Sequence, residues 1–177
     1  MWLSEAGKQI PREKIQKMID LLDKKVTDIE FFVHIYEDVT RATEFLSSLD
    51  MENKEDFLKQ LEEGLTFGGY CDLIQRVMIY NFNILKNPLP ELNFVFTLYH
   101  EIRHAYQDYY LSDKMKREKE NAILYGETWA EMDANYWAAQ WILQHKKSIV
   151  EIIGYDFSND YFYRFIHNYN EYMKIEV

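Results

Sequence analysis

One segment, FTLYHEIRHAYQDYY from Phe96 to Tyr110, constrains the fold more than any other stretch of the chain. Two histidines stand four residues apart, with a glutamate directly after the first. On a helix, positions i and i+4 lie on the same face about one turn apart, so His100 and His104 can aim two imidazoles at one point. Zinc takes imidazole nitrogen at about 2.0–2.1 Å, and a site that keeps an open position uses three protein ligands and a water. Glu101 is rotated about 100° around the helix from His100, toward that water rather than the ion. Water on zinc has its pKa lowered to about 7, and a neighbouring carboxylate can take its proton. The bland alternative is an amphipathic helix that carries two exposed histidines.

The third ligand has to come from a second helix. GETWAEMDANYWAAQWIL, Gly126 to Leu143, offers Glu127, Glu131 and Asp133. Glu127 and Glu131 share a face, one turn or about 6 Å apart along the axis. Ala130, Ala134 and Ala138 also share a face, and their small side chains let this helix approach its neighbour closely. Asp133 reads best as solvated surface. Glu131, flanked by Trp129, Ala130, Ala134 and Trp137, reads as turned inward. A glutamate one turn from the ligand would sit behind a histidine and orient it through the free ring nitrogen.

The rest of the chain frames these two helices. Ser4 to Gln9 reads as a short lead-in. Pro11 opens a helix with Ile15, Met18, Ile19, Leu22 and Val26 on one face. In DIEFFVHIYED, the residues Ile29, Phe31, Val33 and Ile35 alternate with Glu30, Phe32, His34 and Tyr36, which is strand periodicity. Two short helices follow, the second capped by Asn53 and ended by Gly64. LTFGGYCDLIQRVMIYNFN reads as a hairpin, with Gly68-Gly69 supplying turn or bulge geometry. A helix beginning near Pro90 carries the histidines and fades near Leu111 to Lys114. A helical segment runs from about Lys116 to Lys147, with a break near Gly126. An aromatic helix runs from about Asn159 to Met173. The expected architecture is α+β. It is a single domain over residues 1–177, with a small antiparallel sheet against several helices and the histidine helix at the centre.

The 177 residues are 47% hydrophobic and carry a formal net charge of -10. That is enough chain to bury a core, and the acidic balance argues against nucleic acid or anionic membrane as the main partner. There is one cysteine, Cys71, no Asn-x-Ser/Thr acceptor, no signal-like N-terminus and no apolar run of membrane-spanning length. A cytoplasmic setting is expected.

With these residues in place, the chain resembles the ImmA/IrrE family of metallopeptidases. GGYCDLIQRVMIYNF resembles the family's Gly-Tyr strand and the IYIN-like strand after it. FTLYHEIRH resembles its FTLAHELGH, and EMDANYWAAQWIL its E-x-E-A-N-x-F-A-A-x-L-L. The likeness covers Phe67 to Leu143. It implies a zincin-like domain with Zn2+ on His100, His104 and Glu131, and Glu101 as catalytic base. Glu127 is then the alternative ligand, or a residue behind one. The resemblance further implies narrow proteolysis of a helix-turn-helix DNA-binding repressor, by a peptidase part without a DNA-binding segment of its own. A non-catalytic zincin-fold protein that sequesters a regulator is the alternative, and the retained Glu101 argues against it. Three features depart from the family pattern. Arg103 stands where a glycine is usual, and it could charge the cleft or pair with an acid. Trp137 replaces a phenylalanine, and the closing Met-Pro is missing.

Four further residues could donate to an oxyanion: Tyr99, Tyr125, His145 and His167. Each reads more readily as structural. His34 reads as a sheet histidine and Cys71 as a small buried residue. Phe162, Phe165, Ile166, Tyr169 and Met173 form a stripe that reads as core, or as a groove for an apolar peptide or a second copy.

Overall fold

The computed structural model describes residues 2–5, 10–50, 54–120 and 128–175. Asn53, Tyr125 and Glu127 lie outside them. The chain is mixed α+β, as the sequence predicts. Its strands are β1 (Trp2–Glu5), β2 (Phe32–Tyr36), β3 (Gly68–Cys71) and β4 (Arg76–Tyr80). They form one four-stranded sheet in the order β1-β2-β4-β3.

The sheet is not antiparallel, which corrects the expectation. β1 and β4 both run parallel to β2, and only β3 runs antiparallel to β4. The connections explain this, because parallel neighbours need a crossover, usually helical. Helices α1 (Arg12–Asp20) and α2 (Lys24–Thr27) cross from β1 to β2. Helices α3 (Val39–Ser47) and α4 (Lys54–Glu62) lie between β2 and the β3–β4 hairpin. Part of the expected lead-in is strand β1.

Alternation along the strands splits the core in two. Val33, Ile35, Val77 and Ile79 face the larger cluster. Tyr36, Met78 and Tyr80 face the smaller one, which α3 and α4 close with Ala42, Leu46 and Leu61. The expected hairpin forms, but its turn is the 3-10 segment Asp72–Ile74 followed by Gln75, which takes the left-handed φ of 48°. The Gly68-Gly69 pair lies within β3 instead. A Cβ on Gly68 would stand 2.7 Å from Thr97 Cγ2 and 2.8 Å from Glu101 Oε1, so glycine is there for close approach rather than for turning.

Beyond the one-turn helix α5 (Asn81–Ile84), helix α6 (Pro90–Glu120) runs under the sheet. Phe94, Val95, Leu98, Tyr99 and Ile102 are buried along its inner stripe. Each such side chain contributes about 1.5–3 kcal/mol on leaving water, which fixes the roll of the helix and hence the direction of its histidines. Leu111 has non-helical angles (φ -128°, ψ 22°) and kinks α6 where the sequence predicts fading. The helical segment expected from Lys116 is the end of α6 followed, after residues 121–127, by α7 (Trp129–Gln144) and α8 (Lys146–Ile153). Gly154 ends α8 at a φ of 94°. Helix α9 (Asp160–Ile175) lies along α7, with Tyr169 stacked on Tyr136 at 4.4 Å. Its stripe is largely covered: Phe162 is fully buried and Phe165, Ile166, Tyr169 and Met173 are half-buried, nearer the core reading than the open groove. No helix among the described residues is long and apolar enough to cross a membrane.

Candidate metal centre

The site forms where α6 meets the first turn of α7. Ala134 and Ala138 are fully buried, as the small-residue face predicts, and Ala138 belongs to the larger core. Thr128 caps α7, its side-chain oxygen accepting from the Glu131 N–H at 3.3 Å. Thr128-x-x-Glu131 is the sequence form of a capping box, in which the glutamate would turn back to the cap. Here its carboxylate faces the two histidines instead.

Three donor groups converge. His100 Nε2 lies 3.0 Å from His104 Nε2. Glu131 Oε2 is 3.3 Å from His100 Nε2, and Glu131 Oε1 is 3.3 Å from His104 Nε2. Ligand atoms at about 2.0–2.1 Å on the corners of a tetrahedron stand about 3.3 Å apart, so this spacing already matches a zinc coordination shell. The donor set, two imidazoles and a carboxylate, is also one that zinc accepts with a position left open. Among the described residues, His100, His104 and Glu131 form the one group that could hold a metal ion.

The charges reinforce one another. Burial alone would push Glu131 up. Hydrogen bonds from His100 and His104 outweigh it and hold the carboxyl well below the usual range. Burial would push His104 down. Its hydrogen bond to Glu131, the charges of Glu101 and Glu131 and its bond to Gln107 prevail, and the imidazole is raised to about 9. Glu101 is different. It is buried beneath β3 beside Gly68, and burial raises its carboxyl, with the two histidines opposing and Glu131 adding to the rise. Two carboxyl groups in one site are thus driven in opposite directions by their surroundings.

Behind His104 lies a polar chain. His104 Nδ1 is 2.8 Å from Gln107 Oε1. Gln107 Nε2 donates to Ala130 O at 2.9 Å and to Asp133 Oδ2 at 2.7 Å. Arg103 donates to both Asp133 oxygens, Nε to Oδ2 at 2.7 Å and Nη2 to Oδ1 at 3.3 Å. The solvated reading of Asp133 is therefore wrong: the residue is 5% exposed, because the Arg103 fork reaches it across the helix seam. Arg103 pairs with an acid, one of the two roles the sequence left open. Sequence reasoning missed Gln107. The signal was a glutamine three residues after His104, on the face of an already buried helix.

Other candidates fall away from the site. Tyr99 is fully buried and donates to Met18 O at 2.8 Å. His145 bonds through Nδ1 to Trp141 O at the end of α7, and His167 is on the exposed face of α9. Cys71 is buried and free. No family model, curated protein or solved structure matches the chain.

Proposed function

We propose that this protein is a zinc-dependent peptidase of the zincin type, related to the ImmA/IrrE metallopeptidases. One observation carries the reading: two helices bring His100, His104 and Glu131 to coordination spacing, with the buried, base-like Glu101 alongside. His100, His104 and Glu131 would hold the ion. When bound, zinc supplies Lewis acidity toward water and a peptide carbonyl. Glu101 takes the proton from the attacking water and later delivers it to the leaving amine nitrogen. Burial raises its carboxyl above the usual range, the direction that strengthens it as a base.

The geometry around Glu101 favours an extended peptide as substrate. β3 is an edge strand of the sheet, and its Gly68 touches the Glu101 side chain. An unpaired strand edge accepts a peptide as a further strand, with main-chain bonds giving affinity. That would bring a scissile bond beside the carboxylate. Narrow cleavage of a helix-turn-helix repressor in the cytoplasm is the substrate reading that the family resemblance supports.

The test is a pair of measurements on the purified protein. It should bind about one zinc per chain. Glu101→Gln should keep the zinc and lose about a hundredfold or more of peptide cleavage, the scale of general acid–base work. A wild-type chain that takes up no zinc, or a Glu101→Gln protein with full cleavage, would end the proposal.

A further inference from the structure

We infer that Gln107 is a positioning residue for His104, clamped in one orientation by Asp133 and Arg103 so that His104 presents Nε2, and only Nε2, to a metal. The inference rests on the zinc reading above.

The chain of contacts has only one consistent direction. Arg103 can only donate, so both Asp133 oxygens accept. Asp133 Oδ2 and Ala130 O then present only lone pairs to Gln107. Of the two ends of an amide, only the NH2 can meet two acceptors. The carbonyl end must therefore face His104, 2.8 Å from Nδ1. A carbonyl only accepts, so Nδ1 carries a hydrogen. In the neutral ring the lone pair is then on Nε2, which is the atom that faces His100 and Glu131. Arg103 itself is held from outside, its guanidinium 4.5 Å above the Tyr106 ring and 5.7 Å from that of Trp137. Gln107 is fully buried, so water has no access to replace the bonds of its amide.

This gives the arginine before His104 a function. It substitutes a long-range clamp for a small residue, and the clamp ties the ligand's tautomer to the docking of α7 on α6. Because Glu131 and Asp133 sit on the same first turns of α7, one docking event sets the carboxylate ligand and the histidine's orientation together.

The experiment measures zinc affinity by competition with a chromogenic chelator, with far-UV circular dichroism as the check on folding. Gln107→Leu should fold and bind zinc ten- to a hundredfold more weakly, the usual loss when a ligand histidine loses its outer partner. Gln107→Met, close to glutamine in length but without a carbonyl for His104 Nδ1, should lose as much affinity as Gln107→Leu, an ordering that packing alone does not produce. A folded Gln107→Leu protein with wild-type affinity would overturn the inference. So would nitrogen-15 NMR of the wild-type protein loaded with zinc if His104 were metallated through Nδ1, and that measurement needs no variant to fold. If the wild-type chain binds no zinc, the peptidase reading fails by itself. Gln107→Leu must then still shift the His104 Nδ1 resonance of the metal-free protein, and an unshifted resonance would sink this inference too.

Discussion

His100 and His104 stand one turn apart on one helix and face one point, yet the two regions behind them have little in common. His104 backs onto a polar seam between α6 and α7, where Gln107, Asp133 and Arg103 form a continuous chain of directed bonds. His100 backs onto an aromatic wedge between α6 and α9. Its Nδ1 is buried with no hydrogen-bond partner among the described residues, and its ring lies 6.3 Å from that of Phe96, which stacks on Phe165 at 4.8 Å. A polar seam fixes a tautomer and an angle, because a misplaced donor leaves a buried group unpaired at a cost of about 1–3 kcal/mol. An aromatic wedge fixes position by volume and tolerates small rotations. The candidate metal site is therefore rigid on the α7 side and adjustable on the α9 side.

Glu131 offers the hardest test of that contrast, because among the described residues it is the one acid paired with both histidines. Glu131→Gln keeps the shape but removes the charge and one of the two oxygens. Both regions should lose their common anchor, with zinc affinity falling more than about a hundredfold, beyond the loss expected for an outer partner alone. Glu127→Gln is the companion measurement. A loaded Glu131→Gln protein beside an empty Glu127→Gln protein would transfer the ligand role and break the comparison at its root.

The next effect is one of pH, on the metal-free protein. His104 is raised from 6.5 to about 9, chiefly against burial and through Glu131. Its contribution to stability is complete below pH 6.5 and disappears as pH rises through about 9. Glu101, raised by burial from 4.5, acts in the same direction, because ionising it costs the folded state. Glu131 is lowered from 4.5 by the two histidines, so its contribution is present above pH 4.5 and fades as pH falls through its depressed value. The stability these three groups contribute should be greatest near pH 4.5 and should fall as pH rises from there, first through Glu101 and above pH 6.5 through His104 as well. A melt of chelator-treated protein should lose on the order of 5–10 °C between pH 6.5 and 9. His104→Gln should flatten that slope. A wild-type melting temperature that stays level or rises over the interval would contradict the charge arrangement on the α7 side.

What the sequence could and could not show follows the same division between local and distant causes. The pairing of His100 with His104 depends on one helical turn, and the spacing of Ala134 and Ala138 on another, so both were legible. The alternation of Val33 and Ile35 with Phe32, His34 and Tyr36 on the opposite face was legible for the same reason. Strand direction was not, because β2 and β4 owe their parallel pairing to crossovers tens of residues long. Gly68 looked like a turn residue, since its reason for being glycine is a side chain 33 positions away, Glu101. Asp133 looked solvated, since its partner Arg103 is 30 positions back. Gln107 had no motif to mark it, as its role exists only once α7 has docked.

The smallest expected effect belongs to the aromatic wedge, and it is the one that separates the two regions most cleanly. Phe165→Leu keeps an apolar group against Phe96 but removes a ring stacked at 4.8 Å with an interplanar angle of 26°. Phe165 is half-buried and Phe96 retains its contacts with Tyr161 and Phe162, so the site should not collapse. The stacked pair contributes about 0.5–1.5 kcal/mol beyond its burial, and that is the stability the variant should lose. His100 has no hydrogen bond through Nδ1 to that wall, so the loss reaches it only as slack in its packing. Zinc affinity should fall by less than about threefold, well short of the ten- to hundredfold expected for an outer hydrogen-bond partner such as Gln107. The two variants are compared in one titration series. If Phe165→Leu weakened zinc as much as Gln107→Leu, the wedge would be holding His100 as firmly as the polar seam holds His104. The site would then be rigid on both sides.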